Sequence, residues 1–217
     1  SGETLGILGK IGSGKSSILE LIPRLYDPNK GIIKLDGVNL KEFTHNSLRN
    51  AIAYVPQNPF LFSESIEKNI RFGNQNASLE QIQEAAKNAD VAKSIEGFNN
   101  GYQTLLGERG VTLSGGQIQR VSIARAFIKE AQILLLDDCL SAVDTETEET
   151  ILKNLENIAA DKTTLIVSHR ISSIKNADKI IVLENGKIIE QGNHANLVNK
   201  QGYYRDIHEK QQTEKSF

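Results

Sequence analysis

The sequence predicts an α/β fold with a largely parallel sheet and a helical insert. Three observations carry this expectation. Short apolar runs alternate with stretches of helical period. A Gly-rich turn, Gly9 to Gly14, separates the first apolar run from the first helical stretch. The middle of the chain, about residues 65–130, reads as helical, and strand-like runs resume after it.

In chain order, Thr4 to Leu8 reads as a short buried strand. Lys15 to Leu25 reads as a helix with Ile18, Leu19, Ile22 and Leu25 on one apolar stripe. Pro28 and Gly31 mark a break, Ile32 to Leu35 is a strand, and Asp36-Gly37 is a turn signal. Ala51 to Val55 is a strand stopped by Pro56. Ser78 with Gln81 three residues on is a capping-box signature. Gly97 to Gly110 is a polar loop, and Ser114 to Lys129 is a helix. Ile133 to Asp137, Thr164 to Ser168 and Lys179 to Glu184 are strands, and Asn185-Gly186 turns the last into a return strand, Lys187 to Gln191. From about Gln201 the chain is polar, helical and then frayed. The division expected is 1–64 for the first part of the core, 65–130 for a helical subdomain, 131–200 for the second part of the core and 201–217 for a tail.

At 217 residues the chain is one domain, or one domain with an inserted subdomain. A net charge of −2 disfavours nucleic acid as a partner, because phosphate neutralisation needs clustered Lys and Arg. The longest apolar run, Ala51 to Val55, is too short to span a membrane, and no signal-peptide pattern opens the chain. One cysteine, Cys139, excludes an internal disulfide and a Cys-built zinc site and suits a reducing compartment. The sequence has no Met, so a piece of a longer polypeptide is expected.

Gly9-Lys10-Ile11-Gly12-Ser13-Gly14-Lys15-Ser16 fits the phosphate-loop pattern G-x-x-x-x-G-K-[ST] at every fixed position. The glycines let backbone N–H groups turn inward as an anion nest, and the following helix aims its positive end at phosphates. Lys15 is expected on the β- and γ-phosphates, and Ser16 on Mg2+. Ile133 to Asp138 is an apolar strand ending in two carboxylates, and Asp137 stands where a Walker-B acid holds Mg2+. Leu113-Ser114-Gly115-Gly116-Gln117 opens a helix with Ser114 as N-cap, a second anion site. One nucleotide does not need two cradles in one chain, so the second is expected to serve a partner's ATP.

These motifs, with Gln57, Ser141-Ala142-Val143-Asp144 and His169 in that order, resemble the nucleotide-binding domain of ATP-binding cassette (ABC) proteins over essentially the whole chain. The resemblance implies a P-loop NTPase (RecA-like) core with an inserted α-helical subdomain. It implies ATP and Mg2+ as cofactors, a nucleotide site including Gly9, Gly12, Ser13, Gly14, Lys15, Ser16 and Ser17, and metal contacts from Ser16, Gln57 and Asp137. It places Asp138, His169, Gln57 and Lys15 at the hydrolytic centre. It places Ser114, Gly116 and Gln117 on the ATP of a second nucleotide-binding domain, with Asp144 at the dimer interface. Tyr54 to Phe62, Asn69 to Gly73, Gly107-Glu108-Arg109-Gly110 and the segment around Gly202-Tyr203-Tyr204 resemble the exporter branch, multidrug- or lipid-exporter-like. That branch implies transmembrane domains docked through coupling helices, and a place at the cytoplasmic face of the cell membrane.

Two departures stand out. Asp138 occupies the position of the family's usual Glu, the general base, and is about 1.5 Å shorter in reach. A slow own site is expected, as in the degenerate half of a heterodimeric bacterial exporter; the alternative is a homodimer that tolerates Asp. The family's two upstream strands and adenine-stacking aromatic find no counterpart before Thr4. Competing functions are a soluble ABC ATPase and a nucleotide-sensing regulatory module. The stretch between Lys15 and Ser114 leaves no room for the long coiled coil of a repair-type ATPase. His45, His194 and His208 are expected on the surface, Cys139 as a small buried residue, and Glu146, Glu148 and Glu149 on a solvated first helical turn.

Overall fold

In the computed structural model, residues 1–107 and 113–214 are described. Glu108, Arg109 and Gly110 of the expected coupling loop lie outside the described residues. Eight strands are found among those described: β1 (Thr4–Gly9), β2 (Lys34–Leu35), β3 (Val38–Asn39), β4 (Ile52–Val55), β5 (Ile133–Asp137), β6 (Thr163–Val167), β7 (Lys179–Glu184) and β8 (Lys187–Gly192). Six form one sheet in the order β4-β5-β6-β1-β7-β8. Every pair in it is parallel except the closing β7–β8 hairpin.

All five residues of β5 are buried, as a central strand covered on both faces requires. Period-2 alternation divides the strands between two apolar layers. Ile7, Ile133, Leu135, Val167 and Ile181 face one side, where α1 (Lys15–Leu21) and α2 (His45–Asn50) pack. Leu8, Leu134, Leu136, Ile166 and Ile180 face the other. There lie α3 (Ile66–Arg71), α4 (Leu79–Asn88), α5 (Ala92–Glu96), α6 (Gly115–Phe127), α7 (Thr145–Ala159), α8 (His194–Val198) and α9 (Tyr203–Glu214). The helices between β4 and β5 pack chiefly on α6, which also touches β4.

The Ser78 capping box is present with both of its bonds. The first helix is shorter than its pattern predicts. It ends at Leu21 rather than Leu25 because Pro23 cannot donate and Arg24 turns left-handed at φ 52°. The Arg24 amide then donates to the Leu21 carbonyl and the Leu25 amide to that of Glu20, a Schellman closure without glycine. Leu25 therefore leaves the stripe and is 48% exposed. The strand expected over 32–35 is reduced to Lys34–Leu35, paired only with β3 around the Asp36-Gly37 turn.

Candidate functional site

The site collects at the carboxyl ends of β1, β4, β5 and β6, where an open α/β sheet places its ligand crevice. The loop after β1 is tight. A Cβ on Gly9 would lie 2.4 Å from the Leu183 carbonyl oxygen, and Gly12 and Gly14 sit at φ +79° and +97°. Lys15 is buried, and its Nζ donates to the Gly9 and Lys10 carbonyls at 2.8 and 2.9 Å. Burial pushes its pKa below the usual lysine value, and Asp138 and Asp137 oppose the shift. Ser13 Oγ is buried without a hydrogen-bond partner.

Asp137, at the end of β5, is 3% exposed. Its Oδ1 accepts from Ser16 Oγ at 3.1 Å and its Oδ2 from Tyr54 Oη at 3.4 Å. Burial raises its pKa above the ordinary carboxylate value, and the bonds from Ser16 and Tyr54 act against that. A buried carboxylate beside a hydroxyl is a hard-oxygen pair, the donor type Mg2+ takes. Together with an unpartnered Ser13 hydroxyl in a glycine cradle, it fits a magnesium–phosphate ligand.

Asp138, also buried, sits at φ 45° with its amide bonded to the Val167 carbonyl. Its Oδ2 accepts from Gln57 Nε2 at 3.3 Å and lies 3.9 Å from His169 Nε2. Its Oδ1 accepts from the His169 amide at 3.4 Å. The structure thus brings Gln57, Asp138 and His169 together, beside Lys15, Ser16 and Asp137. Gln57 contacts Asp138 rather than Asp137, so its side chain is not on the hydroxyl–carboxylate pair where a metal fits. Ser17 lies in the first turn of α1.

Ser114 and Gln117 lie in a different place. Ser114 Oγ accepts from the Gln117 amide at 3.3 Å, and Gln117 Oε1 accepts from the Ser114 amide at 2.9 Å, a complete capping box on α6. Ser114, Gly115, Gly116, Arg120, Ala142, Val143 and Asp144 line a cavity of about 460 Å3 that includes no P-loop residue. A Cβ on Gly116 would come 2.9 Å from the Ala142 carbonyl oxygen, so glycine lets α6 approach this turn. Asp144 caps α7 by accepting from the Thr147 amide at 2.9 Å, which holds its carboxyl below the usual range.

Sequence reasoning missed several residues that build the site. Gln119 ties α6 to the turn before α7: its Oε1 accepts from the Ala142 amide at 3.0 Å. Glu148 is 1% exposed, not solvated. It accepts from Arg170 Nη1 at 2.5 Å, Ser172 Oγ at 2.8 Å and Ser173 Oγ at 2.5 Å. Burial of that carboxylate is sustained by a cation and two hydroxyls from the segment after His169. His194 and His208 are also not isolated on the surface. They are half-buried with rings 5.3 Å apart, and His194 Nδ1 is 2.7 Å from Tyr204 Oη. His45 is exposed and Cys139 is buried, as expected.

A second cavity, about 560 Å3, opens away from the P-loop between Arg49, Tyr54, Phe72 and Arg125. Arg125 of α6 fixes its wall. Nε donates to the Asn69 carbonyl at 2.8 Å and Nη1 to the Phe60 carbonyl at 2.9 Å. The guanidinium stands 5.5 Å from the Phe62 ring centroid and 5.7 Å from that of Phe72.

The ABC transporter family profile matches residues 1–141. The chain is 47% identical over 206 residues to a putative multidrug export ATP-binding/permease protein, YgaD, of Bacillus subtilis, covering 95% of this chain and 36% of the relative. It is 47% identical over 214 residues to an ATP-dependent lipid A-core flippase of Hahella chejuensis, covering 98% of this chain and 37% of the relative. Among solved structures, a bacterial Atm1-family ABC exporter with ATP bound superposes with a TM-score of 0.94 at 42% identity, covering 97% of this chain and 37% of that one. The chain thus spans little more than a third of the length of these relatives.

Proposed function

The chain belongs to the ABC transporter family, and on that premise we propose that it is the ATP-binding, ATP-hydrolysing domain of an exporter. The observation that carries this reading is one cluster: Ser16 Oγ 3.1 Å from Asp137, with Gln57 and His169 both against Asp138. Residues 1–64 and 131–200 form the nucleotide core, 65–130 the helical subdomain and 201–217 the C-terminal helix and tail.

ATP enters at Gly9 to Ser17. Lys15 exchanges the Gly9 and Lys10 carbonyls for the β- and γ-phosphate oxygens, and the backbone amides around Gly12 and Gly14 hold the rest. Ser16 and Asp137 would hold Mg2+, with Gln57 able to turn to it from Asp138; such an ion would supply charge neutralisation for the phosphates. Asp138 accepts a proton from the attacking water, His169 faces the γ-phosphate, and the products are ADP and phosphate. Asp138 is short for this task, so turnover at the chain's own P-loop is slow.

Ser114, Gly116 and Gln117 act on the ATP of a second nucleotide-binding domain packed head to tail, with Asp144 at the seam. The separate cavity at Ser114 and Asp144 supports this two-chain site. A partner carrying the consensus Glu, completed by this chain's signature helix, is favoured over a homodimer by Asp138. No helix among the described residues is long and apolar enough to cross a membrane. The exporter reading calls for transmembrane domains outside these residues. Their coupling helices are assigned to the Arg125–Phe72 cavity, and the exporter reading implies the cytoplasmic face of the membrane.

ATP-dependent association tests the reading. Sedimentation with Mg-ATP and the Asp138→Asn chain, alone and with its partner half, should show a dimer that Ser114→Asp abolishes. Aspartate still caps the helix but repels phosphate. ATP binding with no ATP-dependent association in either mixture would reject it.

A further inference from the structure

One side chain brackets His169 with two hydrogen bonds. Gln211 of α9 donates through Nε2 to the His169 carbonyl at 2.7 Å and accepts at Oε1 from the Ile171 amide at 2.9 Å. The two bonds run in opposite senses, which a primary amide satisfies and a carboxylate or ammonium does not. The segment they hold has left β6, so no neighbouring strand pairs its backbone.

Gln211 is itself well anchored. Tyr204, Ile207 and Gln211 share one face of α9 at the i, i+3, i+7 spacing. Tyr204 is fully buried, with its hydroxyl 2.7 Å from His194 Nδ1. Glu190 of β8 accepts from the Tyr203 amide at 2.5 Å at the start of the helix. A Cβ on Gly202 would come 2.7 Å from that Glu190 carboxylate, so the approach is close. The helix therefore has a fixed origin two turns before Gln211.

Resting on the reading of His169 as the group that faces the γ-phosphate, we propose that Gln211 is a positioning residue for ATP hydrolysis. It pins the backbone on both sides of His169 and so sets where the imidazole stands. The imidazole needs such support, because its side chain is 40% exposed and its ring makes only the 3.9 Å approach to Asp138. Arg170 anchors the same segment from the opposite direction, through Glu148 and the Val143 and Ser141 carbonyls. The C-terminal helix thereby becomes part of the hydrolytic apparatus without touching nucleotide. Placement matters at this scale: an error of about 1 Å costs on the order of 10²-fold in rate.

The test uses the whole transporter with hydrolysis at the partner's own P-loop silenced, so that turnover reports this chain's site, and compares Gln211→Met, Gln211→Glu, His169→Ala and the Gln211→Met/His169→Ala pair. Methionine keeps the length and helical preference of glutamine and removes both bonds. The expected result for Gln211→Met is a kcat lower by about tenfold, with KM for ATP changed by less than about twofold. Gln211→Glu keeps the acceptor for Ile171 and falls between the two. The double variant is no slower than His169→Ala alone, and the Ile171 amide exchanges about tenfold faster in Gln211→Met. An unchanged kcat in Gln211→Met, or losses that multiply in the double variant, would leave α9 a purely structural part and overturn the proposal. Wild-type turnover in His169→Ala would instead overturn the reading of His169 beneath it, so the two failures are told apart.

Discussion

Gln57 Nε2 donates to Asp138 Oδ2 across 3.3 Å and closes a short polar chain between the ends of β4 and β5. The contact joins the proposed base to the residue that the proposed mechanism turns toward Mg2+. The two side chains are engaged with each other, so a move of Gln57 to a metal would part them.

Lengthening the carboxylate is the direct probe of that pair. Asp138→Glu is expected to raise the single-turnover hydrolysis rate by about tenfold, because roughly 1 Å of added reach corrects a placement error of that order. The same change is expected to lower stability slightly. Residue 138 sits at φ 45°, a region in which Asp is favoured over Glu. Equal and substantial rates in the two chains would make Asp138 a competent base and remove the case for a consensus partner.

Asp137 carries an electrostatic cost that a neutral isostere removes. Its pKa is raised in the folded state, first by burial, so the folded chain binds more protons than the unfolded one once pH passes the unfolded value. Its contribution to stability therefore falls as pH rises above the unfolded value. Asp137→Asn is expected to melt higher than wild type at pH 7 without metal, with the difference shrinking toward pH 4. Mg2+-dependent turnover should fall by about 10²-fold or more, since a bound cation supplies several kcal/mol of charge stabilisation. Calorimetry across that pH range decides it, and a lower melting temperature at pH 7 would contradict the sign.

Glu148 makes the opposite case, a buried charge that is well paired. Glu148→Ala leaves Arg170, Ser172 and Ser173 without their shared acceptor. Breaking a fully buried pair costs about 3–5 kcal/mol, but the Arg170 side chain is 38% exposed, so about 2 kcal/mol is expected. Urea unfolding measures it, and a loss below about 0.5 kcal/mol would show the network to be dispensable.

Arg125 offers a test of the wall of the cavity between Arg49 and Phe72. Arg125→Lys keeps the charge but loses the fork that reaches Phe60 and Asn69 together. About 2 kcal/mol of stability should be lost, and the Phe60–Phe62 segment should become more open to proteolysis while ATP affinity is unchanged. Unaltered cleavage there would mean the segment is held by its aromatic contacts instead.

The parts of the site that could be read from sequence are those written in contiguous residues. Gly9 to Ser16 and the box at Ser114 and Gln117 impose their geometry within one turn of chain, so their pattern and their structure are nearly the same information. The same holds for β5, whose unbroken apolar run states that it is covered on both faces. Glu148 reads as solvated in sequence because its three partners, Arg170, Ser172 and Ser173, come from a segment more than twenty residues on. Nothing near Glu148 distinguishes it from Glu146 and Glu149 except helical phase. Gln211 is further still from His169, in a stretch whose polar composition suggests only a solvated tail. The early end of α1 was legible in principle, since Pro23 stands inside the apolar stripe, and the stripe outweighed it.

The capping box at Ser114 has a consequence for how quickly a partner's nucleotide can be received. Ser114 Oγ serves its own helix as an acceptor, which uses a lone pair and leaves the hydroxyl proton uncommitted. Rotation about a single C–O bond can hand that proton to an incoming oxygen while the helix end keeps its seal. In the proposed two-chain site this helix end is thus finished before the encounter, and its cap need not be rebuilt when the chains meet.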